Sequence, residues 1–214
     1  MPLPACSTRI RMTRRGLLLG GFGSARVCLG AEALRPRLNG DRLVVAAPQL
    51  RFLAGRPLER LHNGASVWFD LQLSAWAERP GAAGASPRLL ERAIERFAVS
   101  YDLWEEKYSV SRLGRPARAV SHLTSGAAEA WCLEQLPLAT TSLASDHPFW
   151  LRLEVRAEDP KERSPLLGEP GINLSRLIEL FSRPSRSGQA SWLVDEGPFR
   201  LADLKATSRG AGGG

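Results

Sequence analysis

Three stretches of this chain alternate apolar and polar side chains residue by residue. In VWFDLQLSA (residues 67–75), Val67, Phe69, Leu71 and Leu73 are apolar and Asp70, Gln72 and Ser74 between them are polar. Phe97, Val99, Tyr101 and Leu103 repeat the pattern around Ala98, Ser100 and Asp102. Phe149, Leu151, Leu153 and Val155 repeat it against Arg152, Glu154 and Arg156. Successive side chains of a strand point to opposite faces, so a period of two predicts one face on a core and one toward water, the habit of antiparallel sheet.

Shorter strands are predicted over 42–47 and 49–53, interrupted by Pro48, and over 108–112 after a hairpin corner at 103–108. Residues 191–194 and 199–201 flank DEGP (195–198) as a terminal hairpin. Thr124 or Ser125 caps a helix over 126–136, with Ala127, Ala130, Trp131 and Leu133 as its apolar face and Pro137 as its stop. Asn173 caps a second helix over 174–181, where Leu174, Leu177, Ile178 and Phe181 share a face. Residues 86–96 read two ways: Ser86 and Pro87 suit a helix start, yet the segment runs directly into a strand. The fold class predicted is mainly β, an antiparallel β-sandwich-like domain over 34–204 with one or two short packed helices, followed by a flexible Gly-rich tail at 205–214.

Residues 1–33 are expected to be an export signal. Arg14 and Arg15 precede about ten weakly apolar residues, against the roughly 20 a membrane-spanning helix needs, and Arg26 interrupts the run. The Thr-Arg-Arg-Gly-Leu-Leu order is twin-arginine-like, although Leu17 stands where phenylalanine is more usual. AEA at 31–33 fits a cleavage site, with a cut after Gly30 and a start at Met12 as alternatives. The expected location is periplasmic. The alternatives are an inner-membrane tether through an uncleaved signal, and a disordered basic N-terminus on a cytoplasmic protein.

Charge and cysteine content narrow the class. The net charge is +7, but residues 1–33 hold five arginines and one acid, which leaves +3 without them. Basic and acidic residues alternate with no long basic run, so nucleic acid is not an expected partner. Cys6 and Cys28 lie in the leader; Cys132, in an apolar helical pattern, is expected to be a buried structural thiol, and no internal disulfide can form after cleavage.

No chemical constellation stands out. Glu105 and Glu106 are adjacent, so on a strand they face opposite ways and cannot flank one bond. His62, His122 and His147 lack metal-ligand spacing, Ser125-Gly126 lacks a nucleophile elbow, and no cofactor or metal is expected. The enzyme alternative is a small exported hydrolase in which His122 or His147 meets a carboxylate in a pocket. Trp68, Trp76 and Trp150 fall on the polar parity of their strands with Arg152 and Arg156. Either this face is an aromatic binding surface for a partner protein or a glycan, or a helix covers it.

The segments NGASVWFDLQLSAW, FAVSYDLWEEKYSVSRL, FWLRLEVRAEDP and SWLVDEGPFRL, with a helix near Ala127, occur in an order that resembles a bacterial family of short, exported, β-rich proteins, a domain of unknown function. The resemblance spans residues 40–202 and departs from the family pattern at 79–87 and 158–181. It implies packing and supplies no catalytic residue. The function expected is a non-catalytic, envelope-side binding or assembly module. An envelope protein partner would meet the tryptophan face or a sheet edge near Ala46, Ala47 and Pro48.

Overall fold

The computed structural model describes residues 34–81, 87–158 and 190–210. The expected export signal with Arg14 and Arg15, the expected 174–181 helix and residues 211–214 lie outside them. In chain order the elements are β1 (Arg35–Asn39), β2 (Arg42–Ala46), α1 (Arg56–His62), β3 (Val67–Trp76), β4 (Leu89–Asp102), β5 (Lys107–Arg112), β6 (Arg118–Leu123), α2 (Ser125–Glu134), β7 (Leu138–Ala139), β8 (Phe149–Ala157), β9 (Ser191–Phe199) and α3 (Leu201–Gly210). The strands form two antiparallel sheets, β1-β2-β7 and β6-β5-β4-β3-β8-β9. The mainly β, sandwich-like architecture is therefore the one the alternating pattern predicts.

β3 is an inner strand of the large sheet, and its odd positions carry the core. Val67 lies opposite Val99 and Phe69 opposite Phe97 on β4, while Leu71 and Leu73 lie opposite Val155 and Leu153 on β8. All eight are buried, and they cluster with Leu43 and Val45 of β2, Leu138 of β7, and Ala128, Cys132 and Leu133 of α2. Each aliphatic or aromatic side chain so enclosed contributes about 1.5–3 kcal/mol of transfer free energy. The small sheet begins with a two-residue turn, Gly40 and Asp41, between Asn39 and Arg42, and Gly40 takes φ 63° where a side chain would be strained.

Several expectations are corrected. Residues 49–53 are not a strand. Two of their amides are claimed by a side chain instead, Glu129 Oε1 on α2 accepting from Phe52 N at 2.7 Å and Leu53 N at 2.9 Å, while Leu50 N donates to the Ala47 carbonyl at 3.1 Å. The ambiguous 86–96 segment is strand from Leu89, held by continuous pairing of β4 along β3. Its strand character is masked because Glu91 and Glu95 occupy core-side positions, opposite Ala75 and Leu71, and interrupt the apolar alternation. The expected DEGP turn is the second half of β9, where a bulge between Phe149 and Leu151 absorbs Gly197 and Pro198. No terminal hairpin follows; α3 does, occupying 201–210 where a tail was expected from 205.

α2 is capped as expected, Thr124 Oγ1 accepting from Ala127 N at 3.3 Å, but it is rotated: Ala128, Glu129, Cys132 and Leu133 are buried, while Ala127 and Ala130 are exposed. β2 is not an edge, since it lies between β1 and β7, Ala46 pairs with Arg35 and Ala47 is buried. Leu103, expected on the core parity, is 57% exposed in the turn after β4.

Candidate functional site on the polar face of the large sheet

The even positions of β3 face away from the core and meet long side chains from both neighbours. Register fixes the rows. Arg96, Asp70 and Arg156 share one row across β4, β3 and β8; Ile94, Gln72 and Glu154 form the next; Arg92, Ser74, Arg152 and Asp195 of β9 the third; and Trp76 stands directly opposite Trp150. The five residues singled out from sequence, Trp68, Trp76, Trp150, Arg152 and Arg156, therefore do lie on one sheet face. They do not form one cluster. Trp68 sits eight residues along β3 from Trp76, about 26 Å at strand rise.

Most charges on this face are matched. Arg96 grips Asp70 with two hydrogen bonds, at 2.5 and 2.8 Å, and its guanidinium lies 5.7 Å from the Trp68 ring centroid. Arg152 grips Asp195 in the same forked way, at 2.6 and 2.8 Å, and donates to the Pro80 carbonyl at 3.3 Å. Arg156, buried, donates to Glu154 at 2.7 Å. Forked guanidinium–carboxylate pairs fix geometry as well as charge, so these rows are rigid. Trp76 Nε1 donates to Ser74 Oγ at 2.9 Å.

Two groups at the centre of the face stand apart. Gln72, only 6% exposed, has a carbonyl oxygen with no hydrogen-bond partner, and the Arg92 Nε donor, also buried, has none either. They occupy neighbouring rows of adjacent strands, and the row of Arg92 lies next to the Trp76–Trp150 pair. An acceptor and a donor left unpaired together in a buried position each carry the desolvation cost of a lost hydrogen bond. Sequence reasoning found the tryptophans and Arg152 but passed over Gln72 and Arg92. The polar parity of Gln72 was visible, whereas Arg92 was hidden in the segment that reads two ways.

The histidines are placed elsewhere. His122, on β6, and His147, in the bend that precedes β8, are both exposed, and β6 and β8 are four positions apart in the sheet, roughly 19 Å. His122 has a partner that spacing did not suggest: its Nδ1 lies 2.7 Å from Glu105 Oε2, with both side chains more than half exposed. His62 stacks on Tyr101 at 4.6 Å between centroids, and Tyr101 on Tyr108 at 4.8 Å, fastening α1 to the β4–β5 hairpin. Among the described residues, no group of three or more His, Cys, Asp and Glu side chains could hold a metal ion. No helix among them is long and apolar enough to cross a membrane.

Comparison with protein-family models, curated proteins and solved structures finds no match to this chain. The geometry of the face is thus the ground for any functional reading.

Two acids are shifted by burial. Desolvation raises Glu129 above the ordinary carboxylate range, against the opposing pull of the Leu53 and Phe52 amides and of Arg51. Desolvation also raises Glu95, opposed by Arg112 at 3.7 Å. Both point to the core side of the sheet or to α2, away from the polar face. Burial, reinforced by Glu129, raises the Cys132 thiol so far that no thiolate forms near neutral pH, which makes it a packing residue.

Proposed function

We propose that this chain is a non-catalytic binding module, exported to the envelope side of the membrane, that holds a protein partner on the polar face of its large sheet. The observation that carries the reading is the unpaired Gln72 Oε1 and Arg92 Nε, on residues that the register places in neighbouring rows, with the Trp76–Trp150 row next beyond that of Arg92. Both atoms are buried, so a ligand reaches them once the side chains over them move aside; a peptide amide, which both donates and accepts, then satisfies them. Indole faces beside it give a peptide apolar contact area, the combination that concentrates binding energy at protein interfaces. The charge-paired arginines around it supply a rigid polar rim. Export is supported by the Arg14 and Arg15 pair ahead of a short apolar run.

The test uses two variants, Gln72→Leu and Arg92→Met. Removing a buried group that has no partner is neutral or stabilising, so each variant melts at or above the wild-type temperature. If the groups serve a ligand, the same variants lose the envelope protein that crosslinks to this face in intact cells, with the crosslinked residues mapped by mass spectrometry. Variants that melt well below wild type, or that keep the crosslink, overturn the reading. Replacing Arg14 and Arg15 by lysine retains precursor in the cytoplasm if export is twin-arginine dependent.

A further inference from the structure

The turn joining β4 to β5 carries the most exposed large apolar side chain among the described residues. Trp104 is 97% exposed and Leu103 beside it 57%. A mobile loop would explain such a residue, but this turn is held from three directions. Asp102 Oδ1 accepts from Trp104 N at 2.8 Å and from Glu105 N at 3.1 Å. Those two amides, Glu105 first, hold the Asp102 carboxyl below its ordinary range. Glu105 is tied to His122 on β6, and the hairpin below is closed by the Asp102–Lys107 and Tyr101–Tyr108 pairs. Glu106 adopts φ 53°, the left-handed conformation that completes the reversal.

An indole fixed in water by its own backbone contributes nothing to the fold, since it touches no core residue. The backbone that carries it is, however, ordered in advance, so binding costs only the indole's own rotamer freedom. Its surroundings select the partner. Asp102, Glu105 and Glu106 are exposed around it, and with Lys107 they give residues 102–107 a formal charge of −2 on a chain whose net charge is +7. Such a tip is repelled by the anionic surface of a membrane and attracted to a basic rim.

We propose that Leu103 and Trp104 form a docking finger that inserts into an apolar slot rimmed by Arg or Lys on a partner protein. This surface is independent of the polar sheet face: Arg92 and Asp102 are ten residues apart on β4, about 33 Å.

The experiment places the photoreactive residue p-benzoylphenylalanine at position 104 of the full chain in its native cells. Crosslinked peptides are then mapped by mass spectrometry. The expected result is an adduct on one protein, at an apolar site flanked by Arg or Lys, whose yield falls at least tenfold when Glu105→Lys and Glu106→Lys are combined with the probe. Trp104→Ala should melt within about 2 °C of wild type, as a substitution at an exposed site does. An adduct on lipid or on a second copy of this chain overturns the proposal. So does a yield indifferent to charge reversal, the absence of any adduct, or a Trp104→Ala variant that unfolds.

Discussion

Glu129 offers the sharpest test of how the helix side of the core is held. It is a buried carboxylate on α2 whose Oε1 takes the amides of Phe52 and Leu53, while its Oε2 has no hydrogen-bond partner and Arg51 stands 3.6 Å away. Glu129→Ala leaves two buried N–H donors unpaired. At about 1–3 kcal/mol for each orphaned group, the loss is on the order of 3 kcal/mol or more once the small cavity is included. For a domain of this size that lowers the melting temperature by about 6–12 °C. Glu129→Gln keeps a carbonyl oxygen for the two amides and removes the charge. The folded carboxyl has a raised pKa, so wild-type stability from this group is full below the ordinary carboxylate range. It is lost as pH climbs through the folded value. Glu129→Gln has no such loss, so its advantage over wild type should widen from pH 4 to pH 8. Thermal melts by circular dichroism across that range, with hydrogen exchange at the Phe52 and Leu53 amides, measure both effects. A Glu129→Ala cost under about 1 kcal/mol, or a Glu129→Gln variant as damaged as Glu129→Ala, would refute the account.

Three further perturbations probe the sheet. Asp70→Ala removes the carboxylate paired with Arg96 on a largely buried row and should cost about 3 kcal/mol in urea unfolding; adding Arg96→Met should recover part of it, and a purely additive double variant would contradict the pairing. Gly197→Ala puts a methyl 2.9 Å from Trp150 Cδ1 and 3.0 Å from the Phe149 carbonyl at φ 146°, so a loss of about 1–3 kcal/mol with an altered near-ultraviolet tryptophan signal is expected. Cys132, fully enclosed, should resist alkylation in the native chain and react only on unfolding, read peptide by peptide; rapid native labelling would show the α2 interface opens.

How much of this was legible in the sequence follows from where local pattern and tertiary pairing agree. Residues 67–75 and 149–155 announce themselves because each lies between two partners with one apolar side, which is the arrangement that period two encodes. The start of β4 does not, since Glu91 and Glu95 sit on the core parity and erase the alternation. The 49–53 stretch looks like a strand because Leu50, Phe52 and Leu53 are all buried, yet the partner for the Leu53 amide, and for that of Phe52, is a side chain 76 residues from Leu53, a fact no local window contains. On α2 the apolar spacing suggested the wrong arc, because the helix buries a glutamate and a cysteine in preference to two alanines. The candidate site was half visible. Parity put the tryptophans and Arg152 on the polar face, but only the register between β3 and β4 brings Arg92 beside Gln72. Glu105 and His122 likewise meet only because β6 returns alongside β5.

The bulged end of β9 has one more consequence. Among the described residues β9 is the outermost strand of a six-stranded sheet, and a straight outer strand presents amides and carbonyls on which another chain can template itself. Here Pro198 removes a donor, Gly197 twists the backbone, and the bulge opposite Trp150 breaks the ladder's spacing. The same four residues that imitate a turn to the eye thus guard the molecule against strand-by-strand polymerisation.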